Sequence, residues 1–321
     1  ITNGIDLSNK GGMAWIKSRT NPGTGHFHHL VDSERGQSSG FHKAVYSNGN
    51  EAENQYPSST NGGVSSFNSN GFTVSAGSNS NYFLNASNYD YVSWTFRKQP
   101  KFFDVVTYDG TGSARTISHN LGSVPGIIMI KHLNGSSDWH VYHRSTDSSA
   151  PEDYILHLNT NDAPSDETIF NDTAPTSSVF SVNDNIKVNG GGGNKYVAYL
   201  FAHNNSDGGF GEPGDQDIIK CDTFTNSGST VSVNLGFEPQ FVMFKRSSGT
   251  GSWFVADSIR GMVVGGTEPY VTWDGSSGDA NLDAWEPTPT GFDIKGAVLG
   301  TGDYIYMAIR RGGMQTPSAA S

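Results

Sequence analysis

A single cysteine, Cys221, occurs in the 321 residues. That excludes an intramolecular disulfide framework and leaves a thiolate zinc cluster without ligands. Its setting, IIKCDTF, alternates in polarity, so Cys221 reads as a small apolar filler on a strand. Charge is scarce as well: Asp, Glu, Lys and Arg make up 16% of the chain, and Lys and Arg (20) are outnumbered by Asp and Glu (31), for a net charge of −11. No basic stripe is available for a nucleic-acid backbone, and an anionic membrane surface is a poor partner. Apolar runs of transmembrane length are missing. So are a leader peptide, heptads and any long amphipathic helix. Because the sequence opens on Ile1, the lack of a leader carries no weight.

What fills the chain instead is small and polar. Gly alone accounts for 40 residues and apolar residues for only 34%. Gly, Asn and Ser suit turns and Thr suits strands, whereas Gly, Asn and Ser are poor in helix interiors. The aromatic fraction of 12% supplies large side chains for a core and argues against disorder. The expected class is all-β and loop-rich.

The chain repeats itself. GGMAWIK, GSVPGIIMIK and GFEPQFVMFK end at Lys17, Lys131 and Lys245, equally spaced by 114 residues. The blocks close alike, as YDYVSWTFR around Tyr91, NKYVAYLFA around Tyr196 and GDYIYMAIR around Tyr304. Such periodicity marks one supersecondary unit written three times. The expected architecture is three tandem antiparallel β-sandwich modules, jelly-roll-like, of about 100 residues each, large enough for a modest core. Their spans are unit 1 at 1–97, unit 2 at 98–203, a linker at 204–216 with a turn at Glu212-Pro213-Gly214, and unit 3 at 217–311. A flexible tail or linker to further domains follows at 312–321. VPGIIMIK, apolar without alternation, predicts a strand buried on both faces. Trp139 and Trp253 recur at the repeat spacing and read as core pillars. Unit 1 lacks the opening strand that VVTY and DIIKCD supply to the others. The expectation is that this strand lies upstream of Ile1; the alternative is an edge paired with another chain.

Chemistry-bearing residues are scattered. His26, His28 and His29 lie near Asp32, but SDWHVYHR and GSWFVADS do not keep that pattern, so packed or exposed structural histidines are expected rather than a zinc site. His140 and His143 point to opposite faces of their strand. Asp274, Asp279 and Asp283, and separately Asp215 and Asp217, lack calcium-loop spacing. The run 190–193 of four glycines leads into a strand, not a helix, and reads as a turn rather than a phosphate loop. No nucleophile elbow is present, and no carboxylate pair is nominated for glycoside cleavage. Catalytic residues, metals and cofactors are therefore expected to be none. Tyr270, Trp273 and Trp285, in the loop-rich later half of unit 3, are the candidates for stacking against sugar rings. The sequons at Asn85, Asn134, Asn171 and Asn204 are no more than so Asn- and Ser-rich a chain produces by chance.

The ordered series VVTYDGTGSARTISHNLGSVPGIIMIK, DWHVYHRS, NDTAPTSSVFSV and KYVAYLFAH resembles a tandem module of uncharacterised function in virion proteins of marine bacteriophages, notably cyanophages. GGMAWIKSR, HLVDSERG and SWFVADSIRG resemble variant repeats of that family. The resemblance implies a non-enzymatic structural virion protein, a tail fibre, appendage or capsid-decorating protein on the virion surface or tail. It would contact other virion proteins and adhere to host or environmental glycans, as a homotrimer by analogy with fibres. The alternatives are a secreted bacterial adhesin or carbohydrate-binding array, and a phage polysaccharide depolymerase.

Overall fold

A computed structural model describes residues 1–20, 26–56, 58–78, 84–87, 89–211 and 214–312. The Glu212-Pro213-Gly214 turn and the tail beyond Gly312 lie largely outside them; Phe210 and Gln216 bridge across the former. No described helix is long and apolar enough to cross a membrane.

The chain is all-β and antiparallel, as its composition implied. Unit 1 contains β1 (Gly12–Ser18), β2 (His29–Asp32), β3 (Gln37–Ser38), β4 (Phe41–His42), β5 (Ala44–Tyr46), β6 (Gly63–Asn68), β7 (Gly71–Ser75) and β8 (Tyr91–Arg97). Unit 2 runs through β9 (Phe103–Asp109), β10 (Arg115–Ser118), β11 (Pro125–His132), β12 (His140–His143), β13 (Tyr154–Ile155), β14 (Ser165–Asp166), β15 (Val179–Val182) and β16 (Lys195–Ala202). Unit 3 holds β17 (Ile219–Asn226), β18 (Val231–Asn234), β19 (Pro239–Arg246), β20 (Phe254–Asp257), β21 (Glu268–Thr272), β22 (Ala280–Leu282), β23 (Trp285–Thr288), β24 (Gly291–Ile294) and β25 (Gly302–Arg310).

Each unit has one main sheet with a common order. The sequences β8-β1-β2-β5, β9-β16-β11-β12 and β17-β25-β19-β20-β21-β22 superpose on β8, β16 and β25. The registers agree: Trp15 faces Trp94, Met129 faces Tyr199 and Met243 faces Met307. A second, smaller layer covers one face, namely β6-β7, β10-β15 and β18-β24-β23. This makes each unit a local sandwich.

The other face of each main sheet turns toward the other units. Alternate residues of the first strands, Met13 and Trp15, Met129, and Met243, join Trp139, Tyr199, Trp253, Trp273 and Met307 in one continuous core. The intervening residues, Ala14 and Ile16 in unit 1 and Val242 and Phe244 in unit 3, pack under their own covering layers. Strands covered on both faces need no polar side, which explains the unbroken apolar run of β11. The sandwiches thus surround a shared core instead of burying three separate ones. At its middle Trp15 and Trp273 stack with centroids 4.2 Å apart.

Candidate functional site

The units are joined by a repeating set of side-chain bonds. The residue just before the second strand is His28, Trp139 or Trp253, as the pairings Ile16–His29, Ile130–His140 and Phe244–Phe254 establish. Trp139 donates its indole N–H to the Tyr46 carbonyl of unit 1 at 2.8 Å. Trp253 donates to the His157 carbonyl of unit 2 at 2.8 Å. His28 Nε2 lies 3.1 Å from the Thr272 carbonyl of unit 3 and completes the ring. Its other nitrogen, Nδ1, accepts the Trp15 indole N–H at 2.9 Å, so Nε2 carries the proton and donates. Burial, with Lys17 nearby, holds His28 well below the ordinary histidine range, so the ring stays neutral.

A second set runs around the ring in the opposite sense, from the last residue of the second strand. Asp32 accepts the Tyr199 hydroxyl of unit 2 at 2.6 Å, and Asp257 accepts the Trp94 indole of unit 1 at 3.0 Å. His143 Nε2 donates to the Tyr306 carbonyl of unit 3 at 3.0 Å. The two aspartates are balanced by buried arginines three residues on, Arg35 at 2.5 Å and Arg260 at 2.7 Å. Each arginine also donates to a backbone carbonyl, of Leu30 or Val255. A buried carboxylate so paired and hydrogen-bonded is tolerated.

The repeated lysines belong to the same scheme. Lys17, Lys131 and Lys245 continue the inward face of their strands and are fully buried. Lys17 donates to the Ser276 carbonyl of unit 3 at 2.9 Å and Lys131 to the Asn50 carbonyl of unit 1 at 3.3 Å. Lys245 donates to Gly251, whose N–H bonds to Asn161 of unit 2. Burial lowers all three to about 8.

The proposed sugar-stacking residues require correction. Trp273 and Trp285 are 1% and 0% exposed. Trp273 is held between Trp15 and Trp253, and Trp285 lies edge-on to Phe244 and Tyr270. Neither ring has a face left for a sugar, because each fills a cavity between layers. Tyr270 is half-buried against Phe254.

The other candidates disperse. His28 and His29 are buried, and burial pushes His29 down to about 3. His140 and His143 are both buried on opposite faces, lowered to about 3 and 4. Asp274 caps the Trp253 N–H, Asp279 pairs with Arg19 and Arg260, and Asp283 pairs with Lys295. Asp217 accepts the N–H groups of Ser206 and Gly208. Among the described residues no group of His, Cys, Asp or Glu is gathered as a metal ion requires. Cys221 is a buried strand residue, as read, and Asn204 is buried and caps Ile218 and Ile219.

The sequence reading missed Asp32 with Asp257 and the His28–Trp139–Trp253 equivalence. HHLVDSERG, WHVYHRS and WFVADSIRG do align, but unit 1 carries a loop of different length, which breaks the 114-residue spacing just before these residues.

Two surface concavities lie at junctions between units. Between units 1 and 2 is a groove of about 410 Å³ lined by Glu34, Lys43, Glu53, Tyr108, Asp109 and Lys195. Its charges come in pairs, Lys43 with Glu53 at 3.0 Å and Lys195 with Asp109 at 2.6 Å. Each pair sets a donor beside an acceptor on the groove wall. Between units 3 and 1 is a groove of about 470 Å³ with more apolar walls, including Phe96, Phe241 and Ile309.

The family model described as a domain of unknown function, DUF7483, matches residues 3–311 and so covers all three units. No curated protein and no solved structure matches the chain.

Proposed function

We propose that this chain, which belongs to the DUF7483 family, is a non-enzymatic display platform. Its place is on the surface or tail of a bacteriophage particle, as a fibre, appendage or capsid-decorating protein, where it adheres to glycans and contacts other virion proteins. The observation that carries the platform reading is the closed ring of inter-unit bonds. Among the buried residues with chemistry to offer, Lys17, Lys131, Asp32, Asp257, His28 and His143 each bond across to a neighbouring unit. What faces outward is a polar, acidic, loop-rich shell. The virion assignment is supported by the sequence resemblance alone, and a homotrimer belongs to it as the assembled form.

With Trp273 and Trp285 inside the core, the glycan surface is assigned to the groove between units 1 and 2. Weak sites on several copies gain through avidity. The test combines two measurements. Electron microscopy of the particle places the chain; an exposed position is expected, and a position away from every exposed surface overturns the adhesion reading. Retention on immobilised host-surface glycans is then measured for the intact protein and for Lys43→Ala combined with Lys195→Ala, with at least a tenfold loss expected for the variant. Glycan chains shortened after incubation establish a depolymerase instead.

A further inference from the structure

The turn between β11 and β12 sets Asn134 before Gly135, one of six Asn-Gly dipeptides in the chain. In such a pair the glycine amide nitrogen can close on the asparagine Cγ, because no glycine side chain blocks the approach. At the other five the backbone is already committed. The Gly4 N–H bonds to the Asn70 carbonyl, the Gly49 N–H to the Tyr46 carbonyl and the Gly190 N–H to the Tyr196 hydroxyl. Gly71 is held in the ladder opposite Asn68, and Asn61 ends the short helix Ser58–Asn61.

Asn134 is placed differently. It is exposed, and among the described residues neither its Nδ2 nor the Gly135 N–H has a hydrogen-bond partner. Its Oδ1 accepts the backbone N–H of Lys195 at 2.5 Å, while the Leu133 N–H bonds to the Lys195 carbonyl at 2.8 Å. The side chain thus continues the β11–β16 ladder and is fixed with a donor on its oxygen. His132 stands beside the glycine. Its Nε2 lies 2.8 Å from Asn194 Oδ1, and Asn194 Nδ2 donates to the Gly191 carbonyl. Nε2 therefore carries the ring proton and Nδ1 the lone pair. That Nδ1 is 3.7 Å from where a Cβ on residue 135 would be. Burial, with Lys131 nearby, holds His132 below the ordinary histidine range, so at neutral pH it is a free base.

We propose that Asn134 is a self-modification site, at which the Gly135 amide displaces ammonia from the asparagine side chain with His132 as general base. His132 Nδ1 takes the Gly135 amide proton, and the amide nitrogen bonds to Asn134 Cγ. The charge that gathers on Oδ1 is held by the Lys195 N–H. The Cγ–Nδ2 bond then breaks, Nδ2 takes the proton back from His132, and ammonia leaves a five-membered succinimide. Water opens the ring at either carbonyl, giving aspartate or isoaspartate at position 134, and no oxidant or reductant is needed. The product sets a new carboxylate beside Lys195, which lines the groove between units 1 and 2.

The test is peptide mapping by mass spectrometry of the 321-residue protein, incubated folded and in guanidinium chloride. Each Asn-Gly site is read separately, first for loss of ammonia and then for its replacement by water. In the folded protein Asn134 is expected to convert at least tenfold faster than any of the other five, and unfolding is expected to abolish this lead. His132→Gln slows the folded reaction at least tenfold and leaves the unfolded one unchanged. Between pH 7 and 9 the folded rate levels off, because a neutral imidazole is already the base, whereas the unfolded rate climbs with hydroxide. That profile needs no variant, so the role of His132 stays testable if His132→Gln does not fold. The proposal is overturned if Asn134 converts no faster than the other five in the folded protein, or if its lead survives unfolding. A folded rate that climbs with hydroxide like the unfolded one, or that His132→Gln leaves unchanged, overturns it as well.

Discussion

Trp253 of unit 3 donates its indole N–H to the carbonyl of His157 in unit 2 across 2.8 Å, inside a core to which all three units contribute. The same bond recurs from Trp139 to Tyr46, and from His28 to Thr272. The repeat therefore builds a ring in which each unit's second strand is tied to its neighbours in both directions.

Because the core is common, the units unfold together. Calorimetry on the intact chain is expected to give one transition whose van't Hoff and calorimetric enthalpies agree. Three resolved transitions would contradict a shared core. A fragment of residues 1–97 alone, with Met13, Trp15 and Trp94 uncovered, is expected to lack the near-ultraviolet dichroism of packed aromatics.

Replacing Trp253→Phe keeps most of the apolar volume but strands the half-buried His157 carbonyl. The expected loss is about 1–3 kcal/mol of unfolding free energy in denaturant titration. Trp139→Phe is expected to behave alike. A Trp253→Ala substitution adds a cavity and costs about 3–5 kcal/mol.

Gly126 and Cys221 are a steric pair. Gly126→Ala pushes a methyl into Cys221 and is expected to cost about 1–3 kcal/mol as overpacking. Removing the opposing side chain with Cys221→Gly returns part of that loss, so the double variant is more stable than the sum of the single effects requires. Strict additivity would show that β11 and β17 do not meet there.

Lys131 is lowered to about 8 chiefly by burial, against the opposing pull of Glu51 and Asp138. Between pH 8 and 10 the unfolded chain binds the proton that the folded chain releases, so stability rises with pH across this window. Lys131→Met is expected to flatten part of that rise. It also leaves the Asn50 and Ser137 carbonyls without their donor, at a cost of about 1–3 kcal/mol near pH 7.

Glu268 is pushed up to about 7, first by burial and further by Asp283. A raised carboxyl favours folding fully at pH below about 4.5, and that contribution is lost as pH rises through 7. Glu268→Gln is expected to match the native protein at pH 4 and exceed it by about 1–2 kcal/mol at pH 8, after allowance for solvent screening. A difference independent of pH would exclude titration of Glu268 as its source.

Much of the scaffold was legible along the chain. GIIMIK lacks alternation, and β11 is indeed covered on both faces. Trp139, Trp253 and Cys221 sit in the core where their repeat spacing or strand context put them. The glycan-stacking assignment of Trp273 and Trp285 failed for a physical reason. A tryptophan in a Gly-rich segment looks the same whether solvent or a distant strand lies against it, and Trp15, stacked on Trp273, is 258 residues away in the chain. His28 hid for a different reason: a loop of changed length masked its equivalence to two tryptophans whose bonding role it takes over.

By itself the sequence determined an all-β chain with a motif written three times and the course of many of its strands. Period-two alternation and its absence report how many faces of a strand are covered, because side chains of a strand alternate by geometry alone. What lies against a covered face is set by contacts between residues far apart in the chain. Only the tertiary structure decided that the inner faces of three sheets cover one another and that Lys17, Lys131 and the repeated tryptophans join neighbours.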